Sequence, residues 1–140
     1  MKIYASRYHD FSYGHTVCGH ESKCAHLHGH NGRVTFHCEA PALDELGRVI
    51  DFGVIKGLLC RWVEECWDHR FLIWKDDPRA ELLRKLDPPG IVLVDYNPTA
   101  ENLAGYLLEH VGPGMLEGTG VTLVRVDFEE TRKCGVTVTP

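Results

Sequence analysis

The sequence predicts an α+β fold: a four-stranded antiparallel sheet with two helices on one of its faces. Three observations lead there. Strand-like segments come in two pairs, one towards each end of the chain. Two amphipathic helical segments lie between the pairs, which sets helices over a sheet rather than alternating with its strands. A chain of 140 residues, 44% hydrophobic and 25% charged, is expected to be one globular domain over residues 1–140 with its own core.

Each element has a local reason. Residues 2–12 (KIYASRYHDFS) are rich in Tyr and Phe and carry a branched Ile, so they read as the first strand. Residues 13–27, with Gly14, Gly19 and Ser22, read as a loop. Residues 33–40 alternate: Val34, Phe36 and Cys38 point one way, and Arg33, Thr35, His37 and Glu39 the other. That is a half-buried strand, with His28-Gly29-His30 at its opening. Pro41 and Gly47 then break the chain.

Residues 52–67 place Val54, Ile55, Leu58, Leu59, Trp62, Val63, Cys66 and Trp67 on one face of a helix, with Asp51 as its N-cap. Residues 75–90 are polar, contain Pro78, Pro88 and Pro89, and form a loop or a short helix around Glu81–Leu86. Residues 91–96 are a short apolar stretch of strand character. Thr99 caps a second helix over about 100–111, with Leu103, Leu107, Leu108 and Val111 inward; Gly112 is placed as its C-terminal stop, followed by Pro113. Residues 121–128 and 136–139 are the last strands.

Composition excludes several functions. The net charge of −5 argues against nucleic acid as a partner, because phosphate backbones are bound by basic faces. No apolar run approaches a membrane span, so no membrane role is expected. The opening residues MKIYASRY have no apolar signal region, so a cytoplasmic location and reduced cysteines are expected. There is no C-x-x-C, which argues against a thiolate-rich structural zinc site.

Six of the nine histidines lie within the first 30 residues. In a strand, residues two apart share a face, so His28 and His30 can converge on one ion, and His15 can join them from a neighbouring strand. Three His with an open fourth position form the pattern of a catalytic zinc. Spacing alone leaves the choice open. Nine His in such a chain yield roughly 0.6 H-x-H by chance, and His26-Leu27-His28 is a second instance.

Cys24, four residues before His28, is a candidate thiolate, since a nearby cation and imidazoles lower a thiol's pKa; Cys18 competes for the role. Asp68-His69 ends the first helix and can act as a proton relay, or His69 can simply complement the helix dipole. Glu129-Glu130-Thr131 follows a strand, where a carboxylate can accept paired N–H groups from a heterocycle, or form a solvated turn.

Together these residues resemble the 6-pyruvoyltetrahydropterin synthase / 6-carboxytetrahydropterin synthase family. Phe11-Ser12-Tyr13-Gly14-His15 looks like its first zinc histidine, and Cys24-Ala25-His26-Leu27-His28-Gly29-His30 fits its C-x-x-x-H-G-H element. Gly47 to Phe52 fits G-x-x-x-D-F, Asp68-His69 the D-H pair, Asn97 to Asn102 the N-P-T-x-E-N element, and Glu130-Thr131 the late E-T. Six ordered elements across most of the chain are far more specific than any one.

The resemblance implies Zn2+ on His15, His28 and His30, with Cys24, Asp68 and His69 catalytic and Glu130, Thr131 and Thr99 on the substrate. The short Cys-to-His spacing looks like the 6-carboxytetrahydropterin synthase branch. That implies conversion of 7,8-dihydroneopterin triphosphate to 6-carboxy-5,6,7,8-tetrahydropterin, acetaldehyde and triphosphate, in 7-deazaguanine (queuosine-type) biosynthesis. The alternatives are pyruvoyl or sepiapterin chemistry and, in another class, a zinc- or pterin-binding protein without catalysis. The tunnelling fold is implied too, a homo-oligomeric barrel built from trimers, usually a hexamer, with active sites between subunits. The sequence departs from the family in carrying Tyr13 and Gly14 where small residues are common, Gly32 where an aromatic is common, and Ile73 after Leu72.

Overall fold

Strands β1 (Ala5–His15) and β2 (His28–Glu39) pair antiparallel over their whole lengths, from Ala5 opposite Cys38 to His15 opposite His28. The computed structural model describes residues 1–140. Strand β5 (Thr122–Glu129) lies antiparallel on the far side of β2, and β6 (Gly135–Val138) antiparallel on β5. These are the four predicted strands, in one contiguous antiparallel block. Two more strands extend it. β3 (Arg70–Trp74) runs parallel to β1, and β4 (Ile91–Val94) parallel to β3, giving the order β4-β3-β1-β2-β5-β6. The sheet therefore has six strands, not four, and is mixed. The added pair is joined through the short helix α2 (Ala80–Leu86), as parallel neighbours require a crossover.

Helix α1 begins at Phe52–Ile55, passes through a wider turn at Lys56–Cys60 and ends with Arg61–Cys66. Asp51 caps it, its carboxylate accepting the Gly53 N–H at 2.7 Å. Helix α3 has the same form, Ala100–Tyr106, Leu107–Val111 and Gly112–Met115. Thr99 caps it by accepting the Asn102 N–H at 3.2 Å.

The alternation of β1 and β2 decides which face is covered. Phe11 and Tyr13 on β1, with Val34, Phe36 and Cys38 on β2, pack against Ile55, Leu59, Val63 and Trp67 and against Leu103, Leu107 and Val111. Each large side chain so buried contributes about 1.5–3 kcal/mol relative to exposure. The other face carries Tyr8, Asp10, Arg33, Arg125 and Asp127. Arg33 forks onto Asp10 at 2.7 and 3.1 Å and lies 3.9 Å over the Tyr8 ring. Asp127 accepts from His37, Arg125 and Thr137 at 2.6, 2.9 and 2.6 Å.

Three local expectations are corrected. Residues 13–15 belong to β1 rather than a loop, because Gly14 and Gly29 face each other in register and act as points of close approach. A Cβ on Gly14 would lie 2.5 Å from the Phe71 ring, and one on Gly29 3.2 Å from the Tyr13 carbonyl. Gly112 does not stop the second helix. Its φ is −55°, the helix continues to Met115, and a Cβ there would meet Leu123 at 2.6 Å. It is small so that α3 can lie close on β5. Finally, Gly32 and Tyr13 are one departure, not two. A Cβ on Gly32 would sit 2.9 Å from the Tyr13 ring, so the ring on β1 fills the space that an aromatic on β2 would take.

Candidate metal centre and active site

The β1–β2 pairing brings the predicted ligands together. His15 ends β1, His28 starts β2 opposite it, and His30 lies two residues on, all on the helix-covered face. Their rings stand 4.5, 5.0 and 4.9 Å apart between centroids, and one nitrogen from each lies within 4.8 Å of the others. His15 is 1% exposed.

The outer nitrogens are held by the main chain. Nδ1 of His15 lies 2.7 Å from the Pro98 carbonyl, and Nδ1 of His28 lies 2.7 Å from the His26 carbonyl. A carbonyl only accepts, so each Nδ1 carries the proton and each Nε2 keeps its lone pair free. Carbonyl-anchored imidazoles are the usual outer shell of a metal site. Nε2 of His28 is buried with no hydrogen-bond partner, which a ligand there would supply. Nε2 of His15 and His30 are 3.1 Å apart. Two nitrogens on one tetrahedral zinc stand about 3.4 Å apart, so the residues fit such an ion.

Glu130, just beyond β5, leans over the cluster, with Oε1 3.2 Å from His15 Nε2 and 3.4 Å from His30 Nε2. Burial, against the opposing charge of Glu130, pushes the His30 imidazole down towards its neutral, ligating form.

Cys24 sits in a single helical turn, Lys23–Ala25, inside the loop between β1 and β2. It lines a cavity of about 340 Å³ together with Thr99, Glu101 and Glu130. Asp68, His69 and Thr131 line a different and larger cavity of about 630 Å³, beside Arg33 and Arg132. Within one chain, therefore, the thiol and the Asp-His pair do not share a cavity.

The Asp-His pair is docked on β1. Asp68 accepts the Ser12 N–H at 2.9 Å, and the His69 N–H donates to the Ser12 carbonyl at 2.7 Å. Asp68 also holds Nδ1 of His69 at 2.8 Å, while the imidazole stays 79% exposed. His69 is the one non-glycine residue with positive φ, at 59°, a sparsely populated conformation held here by its main-chain bond to Ser12. Thr131 accepts the Lys133 and Cys134 N–H groups, which leaves its O–H free to donate.

Sequence reasoning missed what steadies these residues. Asn97 clasps Cys18, accepting its N–H at 3.0 Å and donating to its carbonyl at 2.9 Å. Asp77 and Arg79 fasten onto the Cys24 loop. The N-P-T element was a signal for the first, and nothing local marked the second.

A sheet covered by helices on one face, with three histidines, two of them anchored to main-chain carbonyls, converging at its end under a carboxylate that also lines the cavity of a thiol, defines the class: tunnelling-fold proteins with a candidate metal site. The chain belongs to the 6-pyruvoyl tetrahydropterin synthase family, whose sequence model matches residues 4–140. Proteins named 6-carboxy-5,6,7,8-tetrahydropterin synthase from Rickettsia felis and Rickettsia bellii are 34% and 36% identical to it, over 97% of this chain and 99% of theirs. A solved structure of an uncharacterized protein from Wolinella succinogenes superposes with a TM-score of 0.85 at 28% identity, covering 99% of this chain and 98% of that one. The 6-pyruvoyl tetrahydropterin synthase of Caenorhabditis elegans shares the fold, with a TM-score of 0.71 at 22% identity over 99% of this chain and 95% of its own. The relatives support an enzyme of the pterin synthase family. No helix is long and apolar enough to cross a membrane.

Proposed function

We propose that the protein converts 7,8-dihydroneopterin triphosphate and one water to 6-carboxy-5,6,7,8-tetrahydropterin, acetaldehyde and triphosphate, as a zinc-dependent lyase of 7-deazaguanine biosynthesis. The observation that carries this reading is the convergence of His15, His28 and His30 beside a cavity lined by Cys24, Thr99 and Glu130. The names of the full-length relatives point the same way.

His15, His28 and His30 would hold Zn2+, which, when bound, supplies Lewis-acid polarisation of the substrate's side-chain hydroxyls. The protein's own groups do the rest. Cys24, as thiolate, removes a proton from the side-chain carbon. His69, oriented by Asp68, delivers and removes protons on the opposite side. Glu130 accepts the N–H pair of the amino-pyrimidine edge, and the hydroxyls of Thr99 and Thr131 contact the substrate.

This chemistry needs Cys24 and His69 on one substrate, yet in a single chain they line separate cavities. We therefore place the reaction between subunits of a trimer-based homo-oligomer, with Cys24 from one and His69 from its neighbour. The sheet ends in two open edges, β4 and β6, and keeps one face uncovered and polar. Both features suit closure into a barrel of several chains.

The test is incubation of zinc-loaded protein with 7,8-dihydroneopterin triphosphate, followed by mass analysis of the pterin and assay of acetaldehyde. Acetaldehyde with a 6-carboxy pterin is expected. Triphosphate release without acetaldehyde would assign pyruvoyl chemistry. No turnover above a metal-stripped control would leave a zinc or pterin binder.

A further inference from the structure

We infer that Arg79 is a positioning residue for Cys24, acting as a clasp that closes the neck of the thiol-bearing loop. The catalytic part of this inference rests on the role proposed for Cys24; the clasp itself does not.

The loop leaves β1 at Thr16 and returns to β2 through Ala25 to Leu27. Its neck is drawn together at two adjacent points. The Val17 N–H donates to the Cys24 carbonyl at 2.9 Å, and the Thr16 hydroxyl donates to the Ala25 carbonyl at 2.7 Å. Arg79 binds both partners of the second point. Its Nη1 donates to the Ala25 carbonyl at 2.7 Å and its Nη2 to the Thr16 hydroxyl oxygen at 2.9 Å. The Ala25 carbonyl thus accepts from two donors, as many as its lone pairs allow. One planar guanidinium bridges the residue after metal ligand His15 and the residue after Cys24.

The guanidinium is itself fixed. Asp77 takes its Nε at 3.0 Å and its Nη2 at 2.8 Å, and also accepts the Arg79 main-chain N–H at 2.9 Å. The Asp77 side chain is 1% exposed and that of Arg79 38%. A buried carboxylate this fully engaged leaves the arginine one orientation, the condition for holding a reacting group to within about half an ångström. A lysine, with a single nitrogen, could not reach both partners and Asp77 together. The clasp comes from the segment between β3 and α2, so the added part of the sheet reaches across to the loop on which the reactive thiol sits.

The experiment compares Arg79→Gln and the double variant Asp77→Asn/Arg79→Gln, which also removes the buried charge, with Arg79→Lys and the parent protein. Cys24 alkylation by iodoacetamide is followed by peptide mass analysis, with exposed Cys134 and buried Cys38 and Cys60 as internal references. Zinc content, kcat and KM on 7,8-dihydroneopterin triphosphate are read on the same samples. The expected result is several-fold faster alkylation of Cys24 with Cys38, Cys60 and Cys134 unchanged, unchanged zinc, and kcat lower by about 10²-fold at unchanged KM, because small misplacements carry that penalty. Arg79→Lys should not restore kcat. A Cys24 rate within twofold of the parent would overturn the clasp. So would reactivity of Cys38 and Cys60 in the double variant, which would assign Arg79 to general stability. If the parent protein has no turnover, the proposed function fails, and the alkylation rates still decide the clasp.

Discussion

Oε1 of Glu130 lies 3.2 Å from Nε2 of His15, so an acidic side chain from the end of β5 closes over nitrogens contributed by β1 and β2. This one contact ties a proposed substrate anchor to the candidate metal centre, and the two roles can be separated.

Glu130→Gln keeps the shape and removes the charge. Charge-assisted hydrogen bonds are worth about 1.5–3 kcal/mol, so KM for the pterin should rise by roughly 30-fold. Zinc, measured by elemental analysis, should stay near one per chain, because three imidazoles remain. Loss of zinc would make the carboxylate a ligand of the ion.

Cys24→Ala should abolish turnover while zinc content and the melting temperature hold. The thiol is assigned a proton, not the metal. Zinc lost in this variant would move Cys24 into the ligand set.

Asp77 sets an acid limit on stability. Its hydrogen bonds from Arg79 hold its carboxyl below the usual range, with burial opposing. A depressed carboxyl contributes stability that is present above its unfolded pKa of about 3.9 and is lost as pH falls through the lower folded value. Asp77→Asn should therefore destabilise the protein at pH 7 by about 2–3 kcal/mol, less than for a fully buried pair because Arg79 is partly solvated. Urea unfolding from pH 7 to pH 3 should show the gap between parent and variant narrowing below about pH 4. A constant gap would contradict the assignment.

Tyr13 and Gly32 should couple. Tyr13→Ala opens a cavity and should cost about 3 kcal/mol, and Gly32→Phe alone should clash with the Tyr13 ring. Combined, the two should recover much of the loss, since the ring returns to the same space from β2. Additive losses in denaturant unfolding would mean that the spaces are distinct.

The sequence was most legible where periodicity or a cap marks structure. The alternation from Arg33 to Glu39, the apolar face from Ile55 to Trp67, and the caps Asp51 and Thr99 all appear as expected, whereas Val54, expected on that face, is exposed in the first turn. Two glycines misled, because Gly14 and Gly112 serve close approach rather than a loop and a helix stop. Strand β3 went unread because five residues between His69 and Lys75 carry no alternation; Leu72 and Ile73 are both buried. For the site, His15, His28 and His30 were legible through strand parity once the register was fixed. The hold of Pro98 on His15 and of Arg79 on Ala25 spans 83 and 54 residues, and no local pattern encodes such contacts.

Crystals of zinc-loaded protein, measured on both sides of the zinc absorption edge, test the account most directly. A single anomalous peak about 2.0–2.1 Å from a ring nitrogen of each of His15, His28 and His30 is predicted. A peak held instead by His20 or His26, or none beside His15, would contradict it.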